Sequence, residues 1–202
     1  MIRTLSFVAV VLGLAACTSE AAPADPDPAP GTESHAMTES QPAEATGLYA
    51  LEVDSLEGEA VDFSTYRGTV SLVVNVASQC GYTPQYTGLQ QLHAELAPRG
   101  FQVLGFPSND FGRQEPGSAA EIREFCSSKY SVDFPMFAKV ATKGDAQSPI
   151  YAALGAATGE LPSWNFCKYL VGKDGQVLGF WKAGTAPDDA ELREAIETAL
   201  GS

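Results

Sequence analysis

From Val70 to Ala77 the chain reads Val-Ser-Leu-Val-Val-Asn-Val-Ala, a short and nearly continuous apolar run. Such a run predicts a central strand covered on both faces. Leu89, Leu92 and Leu96 then recur at helical spacing. Thr83 suits the cap of that helix and Pro84 its first position. Pro98-Arg99-Gly100 stops it, and Phe101 to Phe106 form a second buried strand. Strand, helix, strand predicts a right-handed βαβ unit with parallel strands. Upstream, Tyr49, Leu51 and Val53 alternate with Ala50, Glu52 and Asp54, the pattern of a half-buried strand.

A polar loop runs from Pro107 to Gly117. Ser118 and Glu121 have the spacing of a capping box, and the helix they open carries Ile122, Phe125 and Cys126 on one face. Met136 to Val140 reads as a further strand. Ser148-Pro149 opens a short helix through Tyr151 and Leu154. Lys168–Gly172 and Val177–Lys182 flank Lys173-Asp174-Gly175, a hairpin signal. A last helix starts near Asp188, with Leu192, Ile196 and Leu200 spaced by four. A parallel βαβ unit, an antiparallel hairpin and a closing helix predict an α/β domain over residues 48–202. Its architecture is thioredoxin-like, a central mixed sheet flanked by helices.

The first residues are of another kind. Arg3 precedes an apolar run from Leu5 to Leu14, and small residues follow, the order of a secretory signal over residues 1–16. Leu14-Ala15-Ala16-Cys17 resembles the bacterial lipobox, which implies lipidation at Cys17 and an exported protein anchored to a membrane, facing the periplasm or the cell exterior. Thr18 rather than Asp follows Cys17, which points to the outer membrane in a Gram-negative cell. Residues 18–47 hold Pro23, Pro26, Pro28, Pro30 and Pro42 among acids, with no Lys or Arg. Such a segment buries too little surface to offset its ordering entropy and is expected to be a disordered tether. His35 lies in it and is given no role.

Charge narrows the partners. Lys and Arg number 12 against 25 Asp and Glu, a formal net charge of -13. That argues against nucleic acid and against a polybasic membrane contact. No apolar run reaches the roughly 18 residues of a spanning helix. Two His and four Cys leave little for a metal site, and no metal or cofactor constellation is visible. His93, on the helix after Leu92, is expected at the surface.

Cys80 stands where the buried strand meets the helix begun at Thr83. Open α/β sheets build their sites at the carboxyl ends of strands. A helix amino terminus favours negative charge, so this position is expected to enrich the thiolate. A buried inert thiol fits the same position. Cys80-Gly81-Tyr82-Thr83 lacks the second Cys of a Cys-x-x-Cys turn, which excludes disulfide exchange within that turn but leaves attack on an electrophile such as a peroxide O–O bond.

Three motifs then resemble one family in order. They are Asn75-Val76-Ala77-Ser78-Gln79-Cys80-Gly81-Tyr82-Thr83-Pro84-Gln85-Tyr86, the stretch Gly105 to Gly117 (GFPSNDFGRQEPG), and Trp164-Asn165-Phe166-Cys167-Lys168-Tyr169-Leu170-Val171. All are similar to glutathione peroxidases of the non-selenium, cysteine-containing branch. The resemblance implies that Cys80 takes the place of the selenocysteine or peroxidatic cysteine. It implies that Gln114, Trp164 and Asn165 complete a catalytic tetrad, and both amides and the indole N–H are able donors. Read without the family, Gln114 is a loop cap, Trp164 core packing and Asn165 a turn residue.

Glu124-Phe125-Cys126-Ser127-Ser128-Lys129-Tyr130 resembles the resolving-cysteine segment of the thioredoxin-dependent branch. There a sulfenic acid on the nucleophile condenses with this thiol. A core cysteine is the competing reading of Cys126, and it is the reading taken for Cys167. Ser108 stands where several relatives carry an extra Cys. The short stretch Thr142–Pro162 lacks the insertion of tetrameric, glutathione-using relatives, which implies a monomer with an open site. The resemblance thus implies a peroxidase acting on hydrogen peroxide and organic hydroperoxides, recycled by a thioredoxin-like protein or by glutathione. An envelope redox sensor, passing Cys80 oxidation to a partner protein, shares the first chemical step.

Overall fold

A computed structural model describes residues 47–202. The expected signal, Cys17, His35 and nearly all of the tether lie outside the described residues. Gly47, expected as the last tether residue, instead opens a 3-10 turn, Gly47–Ala50. The strand expected from Tyr49 therefore starts later. β1 (Glu52–Asp54) pairs antiparallel with β2 (Ala60–Asp62) in a small separate hairpin. Tyr49 leaves the alternation because its whole side chain is buried, with its hydroxyl donating to the Gly172 carbonyl at 3.0 Å.

The main sheet holds β3 (Val70–Val76), β4 (Phe101–Pro107), β5 (Lys168–Val171) and β6 (Val177–Trp181) in the order β4-β3-β5-β6. β3 and β4 are parallel from Val70↔Phe101 to Val76↔Pro107, and the other neighbours are antiparallel. This is the mixed sheet the patterning predicts. Every residue of β3 is buried, because layers cover both faces. On one face Val70, Leu72, Val74 and Val76 pack with Leu89, Leu92, Ile122, Leu192 and Ile196. These come from α1 (Gln85–Leu96), α2 (Ala119–Tyr130) and α4 (Ala190–Gly201). On the other face Val73 meets Phe106, Ile150, Leu154 and Tyr169, partly from α3 (Pro149–Thr158).

Helix ends follow side-chain chemistry. Gly100 takes φ 85°, and its N–H donates to the Ala97 carbonyl to close the turn after α1. The Asp189 carboxylate accepts from the amides of Glu191 and Leu192 at the start of α4. Ser118 and Glu121 form the reciprocal capping box of α2, with the Ser118 amide donating to Glu121 at 2.7 Å. Ser118→Ala should cost about 1 kcal/mol and lower Tm by about 2–4 °C in a thermal melt.

Two local expectations are corrected. Met136–Val140 forms no strand of its own. Met136 makes one parallel bridge to Gly105, and Phe137 one antiparallel bridge to Ser55. Pro135, which has no N–H, interrupts the ladder just before it. His93 is half-buried rather than on the surface, and its Nδ1 accepts from the Val103 amide at 3.3 Å. Val103 lies on β4, an edge strand, so the imidazole satisfies an otherwise open donor. Burial pushes the His93 pKa down, against the pull of Asp133.

Candidate active site

The carboxyl end of β3 delivers Ala77 and Ser78 into a tight turn around Cys80. Thr83 fastens this turn rather than capping α1. Its hydroxyl accepts from the Cys80 amide and donates to the Ala77 carbonyl, both at 2.9 Å. The Thr83 amide donates to the Cys80 carbonyl at 3.0 Å. Both backbone polar groups of Cys80 are thereby fixed. Its side chain is 8 % exposed, and Sγ accepts from the Tyr82 amide at 3.4 Å.

A second segment comes from the loop after β4. The Ser108 amide donates to the Val76 carbonyl at 3.0 Å, so the loop leaves alongside β3. Gly112 and Arg113 both take positive φ, 64° and 54°, and turn the chain back. The Gln114 carbonyl then accepts from the Gln79 amide at 3.0 Å. This contact brings Gln114 beside the Cys80 turn.

The third segment precedes β5. Asn165 Nδ2 donates to Gln114 Oε1 at 3.0 Å. Asn165 is wholly buried and its Oδ1 has no partner. Phe166 takes φ 70°, a costly value for a bulky residue. Trp164 is 40 % exposed, which rules out the core-packing reading, and its ring lies 6.0 Å from that of Phe111.

Asn75 holds this turn in place, a function the sequence reading did not assign. Its Nδ2 donates to the Trp164 carbonyl at 2.9 Å, and its Oδ1 accepts from the Cys167 amide at 3.0 Å. The Asn75 carbonyl accepts from the Phe166 amide at 2.6 Å. The signal was a lone amide inside a Val-rich buried strand, where a polar group demands a partner. Asn75→Ala should leave two inner backbone groups unpaired. A loss of about 2–4 kcal/mol in denaturant unfolding is expected, together with at least a tenfold slower reaction with peroxide.

The structure thus draws the three motifs to one end of the sheet and joins Gln114 to Asn165 directly. Cys126 lies on α2. It is fully buried in the layer that also contains Cys80, Tyr86 and Ile122. Burial pushes the Cys126 thiol up, with Glu115 adding to the rise, and the neighbouring Tyr86 hydroxyl opposes it. Cys80, Cys126 and Cys167 are all free thiols. Cys167 is fully buried just ahead of β5, in keeping with the core reading.

Glu115 also went unassigned from sequence. It is fully buried, and Oε2 accepts from the Ser78 hydroxyl at 3.1 Å. Desolvation pushes its carboxyl up, against the Ser78 hydrogen bond. It lines a cleft of about 340 Å³ with Ser78, Gln79, Gly117, Ile122 and Phe125, between the Cys80 loop and α2. Among the described residues no cluster of three or more His, Cys, Asp or Glu could hold a metal ion. No helix among them is long and apolar enough to cross a membrane.

Comparison with known proteins shows the family. The family model for glutathione peroxidase matches residues 48–155. Human glutathione peroxidase 7 is 50 % identical over 154 residues, covering 76 % of this chain and 81 % of its own. The hydroperoxy fatty acid reductase gpx1 of Synechocystis is 42 % identical over 163 residues, covering 76 % and 95 %. Among solved structures, Trgpx in its apo form superposes with a TM-score of 0.64 at 32 % identity, covering 78 % of this chain and 98 % of its own. A thioredoxin-family thiol:disulfide interchange protein from Chlorobium tepidum reaches 0.58 at 16 % identity, covering 79 % and 100 %, and shows the shared fold alone. The chain is a member of the glutathione peroxidase family, a thiol peroxidase of thioredoxin-like fold that acts on hydroperoxides with a thiol-based reductant.

Proposed function

We propose that Cys80 is the peroxidatic nucleophile and that Gln114, Trp164 and Asn165 complete its site. The observation that carries this reading is the Asn165–Gln114 hydrogen bond, joined through Gln79 to the Cys80 turn. The Cys80 thiolate attacks the distal peroxide oxygen. An S–O bond forms and the O–O bond breaks. The leaving oxygen takes a proton and departs as water or alcohol, and Cys80 is left as a sulfenic acid. The Tyr82 amide steadies the thiolate. The amide of Asn165 and the indole N–H of Trp164 are donors for the oxygen on which charge develops.

Cys126 acts as the resolving thiol. It loses its proton and attacks the Cys80 sulfur. An S–S bond forms, the S–O bond breaks and water leaves. A thioredoxin-like dithiol then reduces the disulfide by exchange, which restores both cysteines. Hydrogen peroxide and organic hydroperoxides are both substrates in this reading. The open rim, with Tyr82 and Trp164 each 40 % exposed, supports loose selectivity, as does likeness to a relative named a hydroperoxy fatty acid reductase. We infer that the domain works as an exported monomer, tethered by residues 18–46 to a lipid anchor at Cys17.

Peroxide-dependent NADPH consumption by the full chain tests this cycle. One arm contains thioredoxin and its reductase, the other glutathione and its reductase. Turnover with thioredoxin alone is expected. Turnover with glutathione alone would return Cys126 to the core and make Cys80 the single working cysteine.

A further inference from the structure

Lys168 opens β5 on the face covered by α1 and α4, and none of its side chain is exposed. A buried ammonium is costly unless every N–H finds an acceptor. Here Nζ donates to Gln85 Oε1 at 2.5 Å, to the Phe166 carbonyl at 2.8 Å and to the Thr185 carbonyl at 2.5 Å. All three acceptors are neutral, and they match the three donors of an ammonium. Each belongs to a different segment. Gln85 is the first residue of α1, just past the Cys80 turn. Phe166 ends the turn that carries Trp164 and Asn165. Thr185 lies between β6 and α4, where Gln85 Nε2 also donates to the Ala183 carbonyl at 2.8 Å.

We propose that Lys168 is a positioning residue for peroxide reduction, its ammonium gathering the start of α1, the Trp164–Phe166 turn and the β6–α4 loop onto one point so that Asn165 stays in register with Gln114 beside Cys80. The proposal rests on the reading of Cys80 and Asn165 as site residues.

The same geometry makes the clamp sensitive to pH. Desolvation lowers the Lys168 pKa to about 8, with the Cys167 thiol pulling the other way. Among the described residues no other titratable group shifts it. Val74 and Trp181 are its strand partners, α1 presents Gln85, and the loops present Phe166 and Thr185. A neutral amine offers two N–H groups to three acceptors, so one anchor is lost as pH rises through this value. Stability moves oppositely. Between about 8 and the ordinary 10.5 the unfolded chain holds the extra proton, so the contribution of this residue to stability rises with pH over that window. A purely structural lysine would not make the reaction slow while its own contribution to stability grew.

The test is the rate at which hydrogen peroxide oxidises reduced Cys80 in the full chain, without reductant, from pH 6 to 10. Thermal melts are run at each pH on the native chain and on Lys168→Met. The native rate should fall about tenfold between pH 7 and pH 9 while the chain stays folded. Lys168→Met should be ten- to a hundredfold slower at pH 7 and lack that fall. Parallel profiles in the two proteins overturn the proposal. If Lys168→Met does not fold, Gln85→Leu decides, because two acceptors remain and either charge state satisfies both. Its alkaline fall must vanish, and persistence overturns the clamp. A native chain whose Cys80 resists peroxide altogether would instead overturn the site reading beneath it.

Discussion

Cys80→Ser should lower peroxide reduction by about a thousandfold or more and leave the fold intact. The turn around position 80 is held by backbone groups and Thr83, none of which the substitution removes. A serine oxygen can still accept from the Tyr82 amide. What is lost is the nucleophile itself, because a hydroxyl stays protonated where a thiol ionises, and oxygen does not form the sulfenic acid that follows attack. Direct peroxide consumption, read beside far-UV circular dichroism, separates the two effects. Activity within tenfold of the native chain would move the chemistry to Cys126 or Cys167.

Cys126→Ser should oxidise at Cys80 at close to the native rate, yet thioredoxin-coupled turnover should fall to background. Mass spectrometry of the peroxide-treated variant should find sulfenic or overoxidised Cys80, where the native chain gives a Cys80–Cys126 disulfide. The bridge needs the two Cα atoms within about 7 Å. Both thiols are buried in one core layer, and Cys126 is held on α2, so forming the proposed bridge is expected to loosen that helix. That helix is secured at its start by the capping box, while Ser131 ends it in a left-handed conformation. The motion is therefore expected at its C-terminal half, where Cys126 sits. Because serine inserts a polar group into an apolar layer, Cys126→Ala serves as a second variant. Full recycling by thioredoxin in either would remove Cys126 from the cycle.

Much of this arrangement can be read along the chain. The apolar runs at Val70 and Phe101 are strands, and Leu89, Leu92 and Leu96 face the core as their spacing requires. The capping box at Ser118 forms as written, because its partners are three residues apart. The Asn165 amide meets Gln114, whose carbonyl accepts from Gln79 beside Cys80. Legibility fails where a residue answers to a distant partner. Thr83 looks like a helix cap, but its hydroxyl serves the Ala77 carbonyl and the Cys80 amide. Tyr49 looks like a strand residue, but its ring is claimed by the turn at Gly172. His93 reads as a surface residue until the open edge of β4 is known. Asn75 and Lys168 sit in stretches that read as strand, and only the three-dimensional closure says which groups they hold.

The Asn75 contacts span 89 and 92 residues of chain, and the Asn165–Gln114 bond spans 51. Bonds of that reach form only after the strands between them have found their order, so they belong to the late stages of folding. Reactivity toward peroxide is thus a property of the finished molecule. A nascent, unfolded or clipped chain has the same thiols but no assembled site around them. On the proposed reading of Cys80, fast reaction with peroxide waits until the chain is native, and an unfolded chain has only the slow oxidation of an ordinary thiol.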